Sequence, residues 1–238
     1  MFNKFIFISY YFLSIIGYVF FTYQTLINFG YSHTKVQFRK IIGPSTRIKS
    51  EWVGLQKVDQ YLPILVFAGH ADSQGFSGAG TRGEAVSIKG LKPMNPLISD
   101  ELFWNLKIRD EVVRIGKIRG LNINSYEPFV RNISDENDPR TNWSKGFLHA
   151  KKGGYSVEIH FDSYGKYGSG SGLIPPLFTK INTVDESIAR TFGRFPLRFR
   201  GGLGAPKRQI RILEIGKLEG LLEKNLRDLT TRQKTITL

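Results

Sequence analysis

The sequence predicts an α/β fold, in which a mostly parallel, twisted sheet carries helices on both faces and follows a hydrophobic N-terminal helix. Ile64–Ala68 is an unbroken run of five apolar residues. Such a run is too short for a typical helix and indicates a strand buried on both faces. Two later runs rich in β-forming residues, Tyr155–Ser163 and Gln209–Gly216, predict further strands. Helical segments separate these strands, and this alternation is typical of a parallel sheet in a layered α/β domain.

Start and stop signals of helices occur between the predicted strands. A capping residue at Ser99 or Asp100 and a terminating Gly120 predict a helix that runs to about Arg119. Three later segments begin with a capping residue or a proline, or carry an amphipathic leucine pattern. They predict helices from Asp138-Pro139 through Lys152, from Thr183 onwards with a Thr183–Glu186 capping box, and over Glu219–Leu229, with a short strand at Leu121–Tyr126.

Bulk composition limits the function classes. A length of 238 residues suits one domain with a sizeable core plus an appendage. The absence of cysteine excludes a disulfide scaffold and any thiolate metal site. A formal net charge of +14 indicates an anionic partner, which can be nucleic acid, anionic lipid or a cell-wall polymer.

The N-terminal segment, residues 1–29, is predicted to be a signal peptide or a membrane anchor. Its central run, Phe5–Phe21, has 17 residues and no charge. We expect the protein to be exported to the periplasm or cell envelope and, if the segment is not cleaved, to be anchored in the inner membrane. Basic residues after the run outnumber those before it, and the positive-inside rule taken alone favours the opposite orientation.

Residues 30–61 are predicted to be a basic linker with a short strand at Val36–Phe38. Their charge can hold them on an anionic membrane surface, and they can equally be a solvated tether. The remaining residues, 62–238, are expected to form the catalytic domain.

Metal-competent and proton-transferring side chains occur at the ends of the three predicted strands. His70 follows the first strand, and a glycine-rich loop then leads to Glu84. His160 lies near the end of the second strand and Glu214 on the third. Because open α/β sheets bind ligands at the carboxyl edge of their strands, we expect these side chains to converge there.

Four segments carry a resemblance to a known family, and they occur in order between Leu62 and Leu229. They are Gly69-His70, Gly78-Ala79-Gly80 with Glu84, Ile159-His160-Phe161-Asp162, and Leu213-Glu214-Ile215-Gly216. Together they resemble the zinc-dependent N-acetylmuramoyl-L-alanine amidases of amidase family 3, which cleave bacterial peptidoglycan.

The resemblance implies one Zn²⁺ ion bound by His70, Glu84 and His160, with Glu214 as the catalytic carboxylate and Arg140 as a substrate-binding residue. Two imidazoles and one carboxylate leave a fourth position on zinc open for water, as in catalytic sites. A nearby carboxylate can take the water proton and deliver it to the departing amine. The implied reaction is hydrolysis of the amide bond between N-acetylmuramic acid and L-alanine, with peptidoglycan as the partner.

The chain departs from the family pattern in three places. Ala71-Asp72 stand where the family usually has two glycines after the first histidine. Residues 86–99 separate Glu84 from the next helix, where the family tends to run directly into a helix. Glu158 occupies a position on the second strand where a more neutral residue is common. The chain is therefore expected to be a divergent member.

Two other functions remain open. The chain can be a non-catalytic homologue that binds cell-wall material, although retention of all four site residues argues against this. A nucleic-acid-binding protein is suggested by the isoelectric point of about 9.9 and the basic tail Lys207–Lys234. That tail interleaves acidic residues and contains no recognised nucleic-acid motif, so no nucleic-acid partner is expected.

Overall fold

The computed structural model describes residues 37–43 and 51–238. The predicted signal peptide or anchor lies outside the described residues. No helix within the described ranges is both long and apolar enough to cross a membrane. Residues 37–42 are helical, so the described part of the strand predicted at Val36–Phe38 is not a strand. The fold presented below is that of the compact unit Ile41–Leu238.

A five-stranded, mostly parallel sheet forms the centre of the described unit, in the order β2-β1-β3-β5-β4. The strands β2, β1, β3 and β5 are parallel to one another, and β4 pairs with β5 in the antiparallel direction at one edge. Their bounds are β1 Ile64–Ala68, β2 Ile123–Tyr126, β3 Tyr155–Asp162, β4 Gly172–Ile174 and β5 Arg211–Lys217. The predicted α/β fold class is confirmed.

Helices surround the sheet. In chain order they are α1 Gly83–Ser87, α2 Asp100–Ile118, α3 Asn142–Lys151, α4 Thr183–Phe192, α5 Phe199–Gly202, α6 Gly204–Lys207, α7 Gly220–Arg227 and α8 Arg232–Thr237, with a 3₁₀ turn at Gly165–Tyr167. Alternate residues of β5 enter two separate buried clusters, which lie on opposite faces because successive side chains of a strand alternate. Leu213 packs in the cluster that contains Trp104 of α2, and Ile212 in the one that contains Ala205 of α6.

The observed starts of three helices agree only in part with the starts predicted from capping residues. Ser99 caps α2 as predicted, since its hydroxyl accepts the N–H of Leu102. Helix α3 begins after Thr141 rather than at Asp138-Pro139, because those two residues form a turn in which Asp138 accepts the N–H of Thr141.

The cap of α4 is Asn182 rather than Thr183. Its side chain accepts the N–H of Asp185, and the Asp185 carboxylate accepts the N–H of Asn182. Asn182 therefore starts the capping box one residue earlier than predicted.

Part of the predicted linker packs into this unit. Trp52 is buried in the main core cluster, and its indole Nε1 donates a hydrogen bond of 3.0 Å to the carbonyl of Phe195. Gln56 pairs with Asn182 in an isolated bridge. Residues 51–56 thus contribute to the edge of the folded unit.

Strand register places the site at the carboxyl edge of the sheet. Ala68, the last residue of β1, lies opposite Ile159, and His160 lies opposite Glu214 on β5. The N–H of Gly69 donates to the carbonyl of Ile159 and extends this pairing past the end of β1. His70, His160 and Glu214 are therefore brought to one edge by the parallel pairing itself.

Candidate metal centre

His70 begins the loop after β1 in an unusual backbone conformation. Its φ is 64°, in the left-handed region that few residues other than glycine adopt. The carbonyl of His70 accepts a hydrogen bond of 2.9 Å from the Gln74 side chain, which also donates to the carbonyl of Ala79. The loop therefore holds this strained residue in place, as is common at functional sites.

Glu101 comes from the first turn of α2 and is 2% exposed. One carboxylate oxygen, Oε2, accepts the N–H of Thr81 at 2.7 Å, and the other, Oε1, accepts the N–H of Phe161 at 3.2 Å. These two backbone donors fix the carboxylate between the glycine-rich loop and β3.

The two histidines and Glu101 bring three ligand atoms together. The distances between His70 Nε2 and His160 Nδ1, between His70 Nε2 and Glu101 Oε1, and between His160 Nδ1 and Glu101 Oε1 are each 3.2 Å. Ligand atoms around a tetrahedral zinc ion lie roughly 3.3–3.5 Å from one another, given bond lengths of about 2.0–2.1 Å. The donor set and its spacing therefore fit zinc.

The three atoms of the triangle can be joined by protons or by a metal ion. If both ring nitrogens donate to Glu101, they face each other at 3.2 Å as two N–H groups with no acceptor between them. A divalent cation accepts lone pairs from all three atoms at once. The donor set therefore suits a divalent cation, whereas a proton network that fits the triangle needs one histidine nitrogen to accept rather than donate.

The carboxylates of the site also favour a positive charge beside them. Burial acts to raise the pKa of Glu101, but His70 and His160 outweigh it and hold that pKa well below its usual range. Burial acts to lower the pKa of His160, but Glu101, Glu158 and Glu214 raise it well above the usual value. The carboxylates around His160 therefore stabilise a cation at this position.

The ring of His160 is closely confined. A Cβ atom added at Gly69 would lie 2.2–2.5 Å from three atoms of this ring, so the glycine permits the close approach. His160 Nε2, the nitrogen that faces away from the triangle, lies 3.4 Å from Glu158 Oε2. The rings of His70 and His160 meet edge to face, with centroids 4.7 Å apart.

Glu84 was predicted to be a zinc ligand together with the two histidines, but it does not lie beside them. It lies in the first turn of α1, where its Oε2 accepts the N–H of Gly220 and the ammonium of Lys89, each at 3.1 Å. These two contacts, the Gly220 bond first, lower its pKa. Glu84 thus links α1 to the start of α7, and Glu101 stands in its place beside the histidines.

A signal for Glu101 was present in the sequence. Residues 86–99 separate Glu84 from the helix that was predicted to begin after Ser99 or Asp100. Glu101 lies in the first turn of that helix, so the predicted capping signal also marked the position of this carboxylate.

Glu214 lies beside the triangle, opposite His160 in the register of β3 and β5. Its Oε2 atom is buried and has no hydrogen-bond partner among the described residues. Burial raises the pKa of Glu214 to about 8, with further increases from Glu101 and Asp162 and an opposing effect of His160. This carboxyl group can therefore gain or lose a proton near neutral pH.

Arg140 is not part of this group. Its guanidinium donates two hydrogen bonds, of 2.9 and 2.6 Å, to the carboxylate of Asp138. The side chain is 59% exposed in the turn before α3. It is available to a large substrate only from the protein surface.

A cavity of about 350 Å³ opens beside the two histidines. It contains three carboxylates and no lysine or arginine, in contrast to the strongly basic chain. One of them, Asp72, accepts the N–H of Asn142 at 2.6 Å and so ties the loop after β1 to the start of α3. The lining residues are His70, Asp72, Ser73, Phe76, Ile133, Ser134, Glu136, Thr141, Trp143, Glu158, His160, Leu203, Gly204, Ala205 and Ile212.

Comparisons with known proteins agree with the fold. No family model and no curated protein sequence matches the chain. Among solved structures, Cwp6 from Clostridium difficile matches 74% of this chain with a TM-score of 0.50 and 12% identity. This chain spans 27% of the Cwp6 chain. The likeness shows a shared fold.

Two other solved structures match at lower similarity. They are the N-acetylmuramoyl-L-alanine amidase AmiC2 of Nostoc punctiforme, with 13% identity, a TM-score of 0.44 and coverage of 75% of this chain and 93% of that one, and the catalytic domain of the CD27L endolysin targeting Clostridia difficile, with 13% identity, a TM-score of 0.46 and coverage of 74% and 94%.

Proposed function

We propose that this protein is a zinc-dependent hydrolase of the amide bond between N-acetylmuramic acid and L-alanine in peptidoglycan. The observation that carries the proposal is the triangle of His70 Nε2, His160 Nδ1 and Glu101 Oε1, with edges of 3.2 Å. The sequence resemblance supports the choice of reaction.

His70, Glu101 and His160 would hold the zinc ion. Zinc, when bound, polarises a carbonyl group and makes water a nucleophile near neutral pH. The backbone N–H groups of Thr81 and Phe161 keep Glu101 oriented towards the two imidazoles. The strained backbone of His70 and the close contact of Gly69 with His160 fix the two rings.

Glu214 would move the proton. Its carboxylate accepts a proton from the attacking water and then donates that proton to the nitrogen of the departing L-alanine. The proton returns to the product, so the carboxylate ends the cycle in its starting form. A pKa raised by burial towards neutrality suits a group that must first accept and then release a proton.

The position of the site suits a polymeric substrate. The triangle lies at an open edge of the sheet, and the cavity beside it has room for part of a sugar or peptide. We further propose that the protein acts outside the cytoplasm, with residues 1–29 as signal peptide or anchor. The basic residues of the linker would rest on the anionic membrane surface or remain solvated.

The test is incubation of the purified full chain with purified peptidoglycan, with and without a chelator. We expect new L-alanine amino termini that disappear on chelation and return when zinc is added. Glu214→Gln is the matched variant, because the amide keeps the size of the side chain but cannot accept the proton. It should retain zinc and lose at least about 10²-fold in turnover.

Two results would contradict the proposal. Release of other termini or of reducing sugars, without L-alanine termini, would assign a different bond. Stable binding to peptidoglycan with stoichiometric zinc and no product would support a non-catalytic wall-binding protein instead.

A further inference from the structure

The two ring nitrogens of His160 face different partners. Nδ1 faces His70 and Glu101 at 3.2 Å, and Nε2 faces Glu158 Oε2 at 3.4 Å. A neutral imidazole carries one proton, so one nitrogen can offer a lone pair to a metal only while the other keeps the proton. What lies beside Nε2 therefore decides whether Nδ1 is free to bind.

We infer that Glu158 is a positioning residue, which keeps the proton of His160 on Nε2 and turns the lone pair of Nδ1 towards His70 and Glu101. An ionised carboxylate only accepts hydrogen bonds, so it favours the ring form with Nε2–H. The inference rests on the proposed function, in which His160 binds zinc. It adds a residue that acts on the metal through His160 rather than by contact.

The strand geometry explains why Glu158 reaches this nitrogen. Glu158 and His160 are two residues apart on β3, so their side chains point to the same face of the sheet. Gly69 packs against the ring. If the ring turned over, a carbon would face Glu158 in place of Nε2, and the hydrogen bond would be lost. Glu158 thus selects both the proton position and the orientation of the ring.

The burial of Glu158 argues that it is there for this contact. The residue is 3% exposed, and no described lysine or arginine forms an ion pair with it. A buried carboxylate without a positive partner is costly, and a neutral side chain would avoid that cost. His160 is the partner that the described structure provides.

His70 offers an internal contrast. Its Nε2 faces the triangle, and no described residue hydrogen-bonds to its Nδ1. It is also more exposed, at 22% against 12% for the His160 side chain. The carboxylate contact is therefore specific to His160 and is not a general feature of the site.

The test uses the full chain with Glu158→Leu and Glu158→Gln. Leucine removes the acceptor, whereas the glutamine oxygen can still accept the N–H of Nε2 without the charge. Glu136→Gln is the matched control, since Glu136 lines the same cavity but pairs with Arg208. Two readouts are measured: the dissociation constant for zinc by chelator competition, and the imidazole ¹⁵N shifts of zinc-free protein at a pH where His160 is neutral.

We expect Glu158→Leu to weaken zinc binding about 10- to 100-fold and to move the proton of His160 towards Nδ1. Glu158→Gln should lose less affinity and keep the Nε2–H form, and Glu136→Gln should match the parent chain. If Glu158→Leu does not fold, Glu158→Ala, which also removes the acceptor, takes its place, and unchanged zinc affinity and unchanged ¹⁵N shifts in that protein would overturn the inference.

The outcomes separate this inference from the proposed function. An unchanged proton position and zinc affinity in a folded Glu158→Leu protein would reject Glu158 as a positioning residue and leave the amidase proposal intact. A parent chain that binds no zinc would reject the proposed metal, while the ¹⁵N shifts would still report the influence of Glu158 on His160.

Discussion

Gly69 limits where the His160 ring can lie, because the ring occupies the space that a side chain at this position would need. Gly69 follows β1 and packs directly against the His160 ring, with the nearest ring atom 2.2 Å from where a Cβ would stand. Separations under about 3 Å between such atoms are not tolerated, so the ring or the strand would have to move. The site therefore depends on close packing between Gly69 and the His160 ring, which involves neither a charge nor a hydrogen bond.

Gly69→Ala is expected to displace His160 and to disrupt zinc binding. A misplacement of about 1 Å in a catalytic group can cost about 10²-fold in rate, so peptidoglycan hydrolysis should fall by at least that factor. Gly201→Ala is the matched control, because a Cβ there meets nothing within 4 Å. Both variants are compared by zinc affinity and turnover. Normal zinc affinity in Gly69→Ala would show that His160 is not confined as the structure indicates.

The two candidate carboxylates give the second prediction. Glu101→Gln should lose tight zinc binding, because it removes the negative charge and leaves one acceptor oxygen where the carboxylate has two. Glu84→Gln should keep stoichiometric zinc and lose at most about 1 kcal/mol of stability through its weakened bond to Gly220. Zinc content after gel filtration decides between them. Loss of zinc in Glu84→Gln with retention in Glu101→Gln would restore the set first suggested by the sequence.

At this scale the sequence predicted that His70, His160 and Glu214 would lie together, and it did not predict that Glu101 and Glu158 would join them. His70, His160 and Glu214 follow from parallel pairing, which carries strand ends to one edge whatever the connections are. Glu101 reaches the same place from a helix start, and its distance along the chain from His70 depends on the path of a loop. The contact of Glu158 with His160 Nε2 could not be predicted from the sequence, because it depends on the ring orientation of His160.

Among the elements, α4 secures the segment that precedes β1. Glu186 accepts the N–H of Gly54 at 3.1 Å and pairs with Arg190 and Arg194. Burial acts to raise the pKa of Glu186, but Arg194, Gly54 and Arg190 outweigh it and lower that pKa to about 2. The ionised carboxylate is thus stabilised in the folded chain relative to the unfolded chain.

This lowered pKa gives a prediction with a definite sign. The contribution of Glu186 to stability is fully present above its ordinary pKa of 4.5 and is lost as the pH falls from 4.5 towards 2. Glu186→Gln should therefore reduce the free energy of unfolding by about 2 kcal/mol at pH 7, and by progressively less at lower pH. Denaturant unfolding of both chains between pH 7 and pH 3 measures the difference. A gap that stays constant with pH would show that the ionised form is not what stabilises this contact.

The elements themselves were predicted well where their signal was local. β1 has the predicted bounds, and α2 begins after the predicted cap, because an apolar run and a capping serine are properties of neighbouring residues. β4 was not predicted, since three residues at a sheet edge are strand-forming only through pairing with β5. The starts of α3 and α4 were misplaced because several adjacent residues were all competent caps, and tertiary contacts decided among them.

At the scale of the whole molecule, the net charge of the chain and the charge of the site have opposite signs. The chain carries a formal net charge of +14, yet Glu101, Glu158 and Glu214 surround His160 in the site. The excess positive charge attracts anionic molecules over long range. The local negative charge suits retention of a cation. A net positive charge and an acidic site therefore do not conflict, because the first acts over long range and the second acts on a cation within the site.

The last prediction concerns the stability of the whole unit. The triangle joins the loop after β1, the start of α2 and the end of β3, which are three parts of the chain that lie far apart in sequence. Because zinc would bind these ligands together only in the folded chain, its binding free energy would add to the free energy of folding. At free zinc about 1,000 times the dissociation constant, the gain is about 4 kcal/mol. Thermal unfolding with zinc, and again after chelation, should show this shift in the parent chain and no shift in His70→Ala. A metal-dependent shift of equal size in His70→Ala would place the zinc that stabilises this fold at another site.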